Sequence, residues 1–256
     1  MKNKISILGC GWLGTALAKN LINLGYDVKG STTSLKKIEK LNDIGIQPFI
    51  FDISKKESYM SEFLSSEILI VSITSKNIND FKFFIKQVEL SIIKNIIFIS
   101  STSVYPSNNQ VVTEESFVEE SSLLQIENLF RSNNLNVTIL RFGGLVGYNR
   151  NPGKFHSIDR LIKDPEGFVN LIHRDDCLSI IEQLINQEVW GEIFNACSDD
   201  HPSRREFYTK KRKEVGIENS LFIEGANLTY KKVNSSKLKQ HLNFRFKHPN
   251  LMTTFD

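Results

Sequence analysis

Three glycines with the spacing Gly-x-Gly-x-x-Gly directly follow the first strand-like segment of the chain. Gly9, Gly11 and Gly14 come after the apolar run 4–8 and before a helix-like segment. In this context the first glycine permits a tight turn, the second lets a pyrophosphate approach the backbone, and the third lets the helix pack closely on the sheet. The pattern predicts a dinucleotide-binding turn, and the alternative is a glycine-rich turn without a ligand. The predicted cofactor contacts of the turn are Gly9, Cys10, Gly11, Trp12, Leu13 and Gly14.

The residues after the second predicted strand indicate which dinucleotide would bind. An acidic side chain about 20 residues past such a turn typically binds the ribose hydroxyls of NAD. The same place in this chain holds Ser31, Thr32 and Thr33, and Lys36 and Lys37 follow them. Hydroxyls and cations can bind a 2′-phosphate, which a carboxylate would repel. The sequence therefore predicts NADP or NAD as cofactor, with NADP favoured; the alternative is that these residues only cap the next helix.

Two further strand ends supply candidate cofactor contacts. Asp52 ends the third predicted strand, where its carboxylate could accept a hydrogen bond from an adenine amino group. An equally weighted alternative is a turn-forming aspartate that precedes Ser54. The fourth predicted strand ends in the remaining predicted contacts, Ser72, Ile73 and Thr74.

A cluster of hydroxyl side chains, 100–105, leaves the fifth predicted strand. Together with other segments of the chain, it is similar to the NAD-dependent epimerase/dehydratase family, the extended or atypical short-chain dehydrogenase/reductases. The segments that carry this resemblance are 9–14, Asp52, 100–105, 140–147, 170–176 and 191–195. The resemblance implies a Rossmann domain that holds NAD(P), a smaller C-terminal substrate lobe, and a catalytic Ser/Thr with a Tyr and a Lys four residues later.

Ser101 matches the catalytic Ser/Thr of that family, but the Tyr and Lys do not match. Counted back from Glu127, which resembles the family's helix glutamate, the tyrosine position falls on Glu119 and the lysine position on Leu123. None of the six tyrosines has a lysine four residues later. Without a cation to lower its pKa of about 10, a tyrosine is a poor base near neutral pH. We therefore predict Ser101 and Tyr105 as catalytic residues, with Tyr105 as substitute proton donor.

Two alternatives to that catalytic assignment remain open. Glu119 could act as a carboxylate base, or Tyr105 could be a packing residue while Glu119 begins a helix. The other candidate residues lie further along the chain. His173 and Asp175 resemble metal ligands, but no third ligand is nearby, so we predict a structural role and no metal site. Arg141 is expected to shape the cleft, and a group expected to meet an anionic substrate comprises Arg150, Lys154 and His156.

Strand-like and helix-like segments alternate through the first 142 residues. This alternation predicts an α/β fold, a Rossmann-type doubly wound parallel sheet with a small C-terminal substrate lobe. Residues 1–147 are predicted to form the NAD(P)-binding domain and 148–256 mainly the substrate lobe, with 168–197 returning to the Rossmann core. The predicted strands after the first are 26–30, 46–53, 68–73, 95–99, 136–140 and 191–196, and predicted helices include 79–91 and 119–131.

The composition excludes several classes of protein. Of the 256 residues, 40% are hydrophobic and 24% are charged, and the net charge is only +3, so no nucleic-acid partner is expected. The basic run 210–213 is interpreted as a solvated helix face. No apolar run approaches the roughly 18 residues of a membrane span, no signal-peptide pattern precedes the first strand, and the three cysteines show no ligand spacing. A cytoplasmic location with reduced cysteines is expected.

Taken together, these patterns predict an NAD(P)-dependent oxidoreductase or epimerase-like enzyme. Its expected partner is a small, sugar-like or nucleotide-sugar substrate, with no nucleic acid and no membrane, and a homodimer remains open. The alternative is a dinucleotide-binding sensor or regulatory module that has lost catalysis, because the glycine turn is intact whereas the Tyr-Lys pair is missing.

Overall fold

The computed structural model describes residues 4–55, 60–131, 135–157, 160–218, 221–225 and 228–253. Residues 1–3, which enter the expectation that no signal peptide is present, lie outside these ranges. The strands are β1 Lys4–Leu8, β2 Asp27–Thr32, β3 Gln47–Ile50, β4 Ile68–Val71, β5 Asn95–Ser101, β6 Gln110–Val112, β7 Asn136–Phe142, β8 Gly144–Val146, β9 Leu171–His173, β10 Ile193–Ala196 and β11 Lys231–Val233. The helices are α1 Trp12–Asn23, α2 Ile38–Asp43, α3 Met60–Phe63, α4 Ile78–Glu89, α5 Ser122–Arg131, α6 Arg174–Asn186, α7 Arg204–Glu214 and α8 Ser236–Leu242.

Seven strands form one parallel sheet in the order β10-β7-β5-β4-β1-β2-β3. In the register of its centre, Ile5 of β1 lies opposite Val28 of β2 on one side and Ile68 of β4 on the other. The strand order reverses direction beside β1, as it does in dinucleotide-binding Rossmann folds. Two small parallel sheets, β6–β11 and β8–β9, complete the strands. The predicted α/β fold with a Rossmann-type parallel sheet is confirmed.

The chain forms two compact units. Unit 1 consists of Met1–Ser100, Glu120–Leu140 and Ile181–Ile193, and unit 2 consists of Ser101–Glu119, Arg141–Ile180 and Phe194–Asp256.

The core of unit 1 is formed by continuous apolar strands and aromatic side chains from the helices. All four residues of β4 are buried, as expected for a central strand that is covered on both faces. Phe81 of α4 and Phe130 of α5 pack edge to face, and Phe130 stacks on Phe98 of β5 at 4.8 Å between ring centroids. The Asn77 side chain caps α4 by accepting from the Asn79 and Asp80 amides.

Unit 2 is held by short strands and by side chains that bond to the backbone. Asn170, just before β9, donates from its side-chain nitrogen to the Lys231 carbonyl and accepts from the Val233 amide, and these bonds hold β11. Ser203 and Glu206 form a capping box that begins α7. Phe207 of α7 packs in a buried cluster with Val146, Val169, Leu171 and Leu251.

Several predicted boundaries differ from the structure. The helix predicted at 119–131 begins only at Ser122, because the Ser121 hydroxyl accepts a hydrogen bond from the Leu124 amide and so caps it. Glu119 therefore does not begin that helix; its amide donates to the Val104 carbonyl instead. Strand β5 continues to Ser101, two residues beyond its predicted end.

The interpretation of 210–213 as a solvated face is wrong for two of its residues. Lys211 and Arg212 on α7 are buried, with 0% and 1% of their surface exposed. The Lys211 ammonium donates to the Thr253 carbonyl and lies 3.2 Å from a Glu214 carboxylate oxygen, so its charge is compensated inside unit 2. Long basic side chains bury their aliphatic stems when the charged head group finds acceptors, a property that a charge count does not reveal.

None of the helices in the described ranges has the length and apolarity that crossing a bilayer requires.

Candidate functional site

The glycine turn of unit 1 joins β1 to α1, and a side chain at each of its three glycines would have different steric consequences. Gly9 has a φ of +99°, and a Cβ added there would lie 2.6 Å from the Ser72 carbonyl oxygen. A Cβ at Gly14 would lie 2.1 Å from the Gly9 carbonyl oxygen, so α1 can pack here only with glycine. A Cβ at Gly11 meets nothing within 4 Å. The first and third glycines are thus needed for the fold, while the second leaves open space above the turn.

Three amides of the turn donate hydrogen bonds to protein oxygens. Gly9 donates to the Ser31 hydroxyl at 2.9 Å, Cys10 donates to the Ser31 carbonyl at 2.7 Å, and Gly11 donates to the Gly9 carbonyl at 2.8 Å. First-turn amides of a helix have no acceptor within the helix. A phosphate at this turn would therefore be held by amides at the start of α1, such as those of Leu13 and Gly14. No side chain in the described first turn of α1 is acidic, so its positive dipole end is not offset there.

The residues that were predicted to select the cofactor have different environments. Ser31 and Thr32 are buried at the end of β2, and the Thr32 hydroxyl accepts from the Ser34 amide at 3.2 Å. Thr33 is exposed, as are Lys36 and Lys37 on the following 3-10 turn. Ser31 thus holds the glycine turn from below, while Thr33 and the two lysines present their side chains to solvent.

The charge of Lys37 affects the pKa of the Cys10 thiol in the turn. Burial raises the pKa of the Cys10 thiol to about 12, and the Lys37 ammonium acts in the opposite direction. The thiol packs beneath β2, since a Cβ at Gly30 would lie 2.5 Å from its sulfur. Cys10 is therefore an inert packing residue, and Lys37 lies near enough to the turn for its charge to act there.

The two other strand ends of unit 1 also have defined roles. Asp52 Oδ1 accepts from the Ser54 amide at 3.0 Å and from the Ser54 hydroxyl at 2.8 Å, and these bonds lower the pKa of its carboxyl. Asp52 thus forms the turn that we weighed as the alternative to adenine binding. After β4, the Ser72 amide donates to the Leu8 carbonyl at 2.8 Å. The Ile73 side chain would contact a Cβ at Gly9, while Thr74 is exposed.

The predicted catalytic residues of unit 2 have contrasting environments. Ser101 caps a 3-10 turn, Thr102–Val104, and its Oγ accepts from the Ser103 amide at 3.1 Å. Tyr105 is 1% exposed; its hydroxyl donates to Asn195 Oδ1 at 2.8 Å and accepts from Arg141 Nη1 at 2.7 Å. The Arg141 guanidinium also lies 5.1 Å from the Tyr105 ring centroid. Ser101 is thus half-buried at a turn, whereas Tyr105 belongs to a buried polar network.

That network continues to Glu114, which the sequence did not single out. The Asn195 backbone amide donates to Glu114 Oε1 at 2.7 Å. Burial raises the pKa of the Glu114 carboxyl, against the lowering effects of the Asn195 amide bond and of the Lys237 and Arg141 charges. Burial likewise raises the pKa of Tyr105, although Arg141 opposes the shift. We use the name Tyr105 network for Tyr105, Arg141, Asn195 and Glu114.

Lys231 of β11 is a second residue that the sequence analysis missed. Its ammonium donates to the Tyr105 carbonyl, and burial lowers its pKa while the nearby charge of Glu119 raises it. Lys231 is therefore close to Tyr105 and Glu119, the two residues that we considered as substitutes for the missing Tyr-Lys pair. Lys231 lies 126 residues after Tyr105 in the sequence, so no short motif could have predicted that the two residues are in contact.

The loop that was expected to meet an anionic substrate packs against α7. A Cβ at Gly153 would lie 2.2 Å from the Lys211 carbonyl oxygen, and the His156 ring packs edge to face on Tyr208 at 4.9 Å. Burial lowers the pKa of His156, and the charges of Arg160 and Arg212 act in the same direction. Arg150 and Lys154 belong to the same loop, and their role toward a substrate stays a prediction.

Comparison with known proteins agrees with this geometry. Residues 4–126 match the family model described as the NAD binding domain of 6-phosphogluconate dehydrogenase. Protein YeeZ of Escherichia coli (strain K12) is 29% identical to the chain over an alignment of 265 positions that covers 96% of each protein.

Solved structures share the fold at low sequence identity. A functionally unknown conserved protein from Silicibacter pomeroyi DSS has a TM-score of 0.81 at 17% identity, covering 98% of this chain and 96% of its own. UDP-glucuronic acid 4-epimerase from Bacillus cereus, solved with UDP-glucuronic acid and NAD, has a TM-score of 0.79 at 17% identity, covering 97% and 95%. The structural neighbours of the chain thus include NAD-dependent epimerases and short-chain dehydrogenase/reductase proteins, in agreement with the resemblance drawn from the sequence, and its N-terminal half matches an NAD-binding domain.

Proposed function

We propose that the protein binds NADP, or less tightly NAD, at the glycine turn of unit 1 and acts as an oxidoreductase or epimerase-like enzyme. The observation that carries this proposal is the open space at Gly11, between two glycines whose side-chain positions are blocked by backbone. A turn that served only to connect β1 to α1 would not need a glycine at that position. The vacant volume and the uncompensated start of α1 suit a pyrophosphate.

The preference for NADP rests on the side chains after β2. The position that carries a carboxylate in NAD sites lies among Ser31, Thr32 and Thr33. Of these, Thr33 is exposed, and Lys36 and Lys37 lie just beyond it. A 2′-phosphate gains charge-assisted hydrogen bonds from such groups, which the 2′-hydroxyl of NAD cannot match.

The proposed substrate is a small molecule with a hydroxyl or carbonyl carbon, such as a sugar or a nucleotide sugar. The epimerase from Bacillus cereus, which shares the fold, is solved with such a nucleotide sugar. A nicotinamide cofactor supplies a hydride acceptor or donor for such a carbon.

Ser101 is the residue of unit 2 that we assign to the substrate oxygen. Its Oγ accepts from the Ser103 amide, and a hydroxyl that accepts one bond still has its own proton to donate. Tyr105 is less suited to the proton-donor role, because its proton is directed to Asn195 and its oxygen accepts from Arg141. The contacts of Tyr105 favour the alternative in which it is a packing and positioning residue.

A catalytically inactive NADP-binding sensor is the second candidate function. It is favoured by the same contacts of Tyr105, together with Leu123 at the position where a lysine would lower the pKa of a catalytic tyrosine. The sensor would bind the cofactor without turnover, and a cofactor-dependent partner would read the bound state.

Cofactor binding is tested by titrating the full chain with NADP and NAD side by side and following thermal stability. A cofactor at 100 times its dissociation constant stabilises the fold by about 2.7 kcal/mol. Gly11→Val is the informative variant, since its side chain would enter the proposed phosphate volume and its Cβ would meet no protein atom within 4 Å. We expect an unchanged melting temperature without cofactor and loss of the cofactor-induced shift. A wild-type protein that responds to neither cofactor, or a Gly11→Val variant that responds normally, would overturn the proposal.

Catalysis is tested separately with a panel of sugars, nucleotide sugars and alcohols, by following reduced cofactor. Turnover of any member that falls at least about tenfold in Ser101→Ala, with NADP binding unchanged, supports the enzyme. Binding without turnover across the panel supports the sensor.

A further inference from the structure

Two histidines and a carboxylate converge in unit 2 at the start of α6. His173 is the last residue of β9, Asp175 lies in the first turn of α6, and His248 comes from the segment after α8. One potential ligand atom from each residue lies within 4.8 Å of the other two. We propose that His173, Asp175 and His248 form a binding site for a divalent cation that prefers nitrogen ligands, with Zn²⁺ as the best match.

The distances suit tetrahedral coordination. Asp175 Oδ2 lies 3.7 Å from His173 Nδ1 and 3.8 Å from His248 Nε2. In a tetrahedral zinc site with bonds of about 2.0–2.2 Å, neighbouring ligand atoms are about 3.3–3.5 Å apart. The two distances from Asp175 thus need to shorten by only a few tenths of an ångström, and the two histidine nitrogens lie within 4.8 Å of each other. The proposed site has these three protein ligands and one position for a further ligand.

A hydrogen bond to Oδ1 orients the Asp175 carboxylate. Tyr148 donates its hydroxyl proton to Asp175 Oδ1 at 2.8 Å, which directs Oδ2 toward the two histidines. This contact is the kind of outer hydrogen bond that orients metal ligands in known sites. Asp175 would therefore bind the ion through Oδ2 alone.

The chain segment that carries His248 is held in place by Asp176. The Asp176 carboxylate accepts from the Lys247 amide at 2.6 Å and from the His248 amide at 3.2 Å. These bonds position the backbone of His248, so its ring needs only a rotamer that faces Asp175. The rings of His173 and His248 now pack on each other at 3.8 Å between centroids, with a tilt of 38°, so the His248 ring must turn for both nitrogens to face one ion.

His173 has the tautomer that a metal at Nδ1 requires. The Asp175 amide donates to His173 Nδ1 at 3.3 Å, so the lone pair is on Nδ1. A bond of that length is weak, and an ion could replace it at little cost. The opposite edge of the ring packs on Gly147, where a Cβ would lie 2.2 Å from Nε2. The ring orientation is thus set by packing before any ion binds.

The ligand types restrict which ions the site would prefer. Mg²⁺ and Ca²⁺ depend on several oxygen ligands, and the cluster has a single carboxylate. Two imidazoles with one carboxylate favour Zn²⁺ and its neighbours Co²⁺, Ni²⁺ and Cu²⁺.

This proposal departs from the expectation of no metal site, and it does so because of His248. The sequence placed two ligand types together at 173–175, and the fold brings the third from the C-terminal segment. The inference does not depend on the proposed cofactor, because every group that carries it belongs to unit 2.

The test is metal binding to the full chain without cofactor. Calorimetric titration with Zn²⁺ is expected to show one saturable equivalent and a raised melting temperature, and Mg²⁺ is expected to show neither. Co²⁺ is expected to give the intense visible bands of tetrahedral coordination. His248→Ala and Asp175→Asn are expected to weaken Zn²⁺ binding by at least about tenfold. Both variants keep the backbone bonds of the site, so we expect them to fold, as circular dichroism can check.

His241→Ala is the matched control, because this histidine is exposed on α8 and lies outside the cluster. It should bind Zn²⁺ like the wild type. Absence of saturable binding, an octahedral Co²⁺ spectrum, or Zn²⁺ affinity that is unchanged in His248→Ala and Asp175→Asn would overturn the proposal. Equal losses in His241→Ala and His248→Ala would do the same, because they would indicate nonspecific binding to surface histidines.

Discussion

The glycine turn of unit 1 and the Tyr105 network of unit 2 are built in opposite ways. The turn uses backbone atoms of Gly9–Gly14, and its main outside partner is Ser31 on the adjacent strand β2. The Tyr105 network joins the side chains of Tyr105, Arg141 and Asn195 by hydrogen bonds, and the Glu114 carboxylate accepts from the Asn195 backbone amide. The turn therefore depends on the absence of side chains at Gly9 and Gly14, whereas the network depends on the presence of each of its side chains.

This difference has an energetic consequence. A backbone-built turn fails when a side chain is added, since a new Cβ collides with main chain that cannot move cheaply. A buried polar network fails when a side chain is removed, since each remaining partner keeps its desolvation cost without its hydrogen bond. Added side chains in the turn and removed side chains in the network therefore separate these two kinds of failure.

Gly14→Ala should have the largest effect on stability. Its methyl group would lie 2.1 Å from the Gly9 carbonyl oxygen, so α1 or β1 must shift. We expect a loss of about 3 kcal/mol or more in the free energy of unfolding, measured by urea denaturation. Gly11→Ala is the control and should stay within about 0.5 kcal/mol, because its methyl group meets open space. Similar losses in the two variants would show that the steric distinction between the glycines is wrong.

Tyr105→Phe tests the network half of the comparison. It leaves Asn195 Oδ1 and Arg141 Nη1 without the phenol that now bonds both, so we expect a loss of about 1–3 kcal/mol in unfolding free energy. Tyr26→Phe removes an exposed hydroxyl that bonds Asn186 in unit 1 and serves as the matched control, with a change within about 0.5 kcal/mol. If Tyr105→Phe were as stable as the control, the network would not hold unit 2 together.

Lys37→Gln tests whether cofactor binding at the glycine turn also depends on a side chain. If Lys37 meets a 2′-phosphate, we expect NADP to bind about three- to tenfold more weakly while NAD binding is unchanged. Isothermal titration with both cofactors measures the difference. An equal loss for NAD and NADP would assign Lys37 to the shared pyrophosphate, and no loss for either would remove it from the site.

Glu114→Gln tests the titratable end of the network. Burial raises the pKa of Glu114 above its ordinary 4.5, so the folded protein holds this proton more tightly than the unfolded chain does. The stability of the wild type relative to the variant therefore falls as pH rises from 4.5 through the folded pKa, and is level above it. Because solvent screens a half-buried carboxylate, we expect a difference below about 1 kcal/mol. Denaturation curves at several pH values measure it, and a pH-independent difference would contradict the assignment.

The same contrast explains which parts of the site could be predicted. The glycine turn, the strands around it and the helix with Phe81 and Phe84 are encoded by patterns of neighbouring residues. Ser31 was predicted to follow the second strand, whereas it lies within β2, and no local pattern reveals that its hydroxyl accepts from the Gly9 amide. Lys211 was misread because helical periodicity and a charge count do not show where acceptors such as the Thr253 carbonyl lie.

The sequence by itself determined the Rossmann-type fold and the position of the glycine turn, because turn sterics and strand hydrophobicity act between residues that are close along the chain. Only the tertiary structure decided that the Tyr105 hydroxyl is enclosed by Arg141 and Asn195, that Lys231 reaches the Tyr105 carbonyl, and that His248 joins His173 and Asp175. Those contacts join residues far apart in sequence. Their hydrogen bonds and charges depend on the packing of the whole unit, which local patterns do not encode.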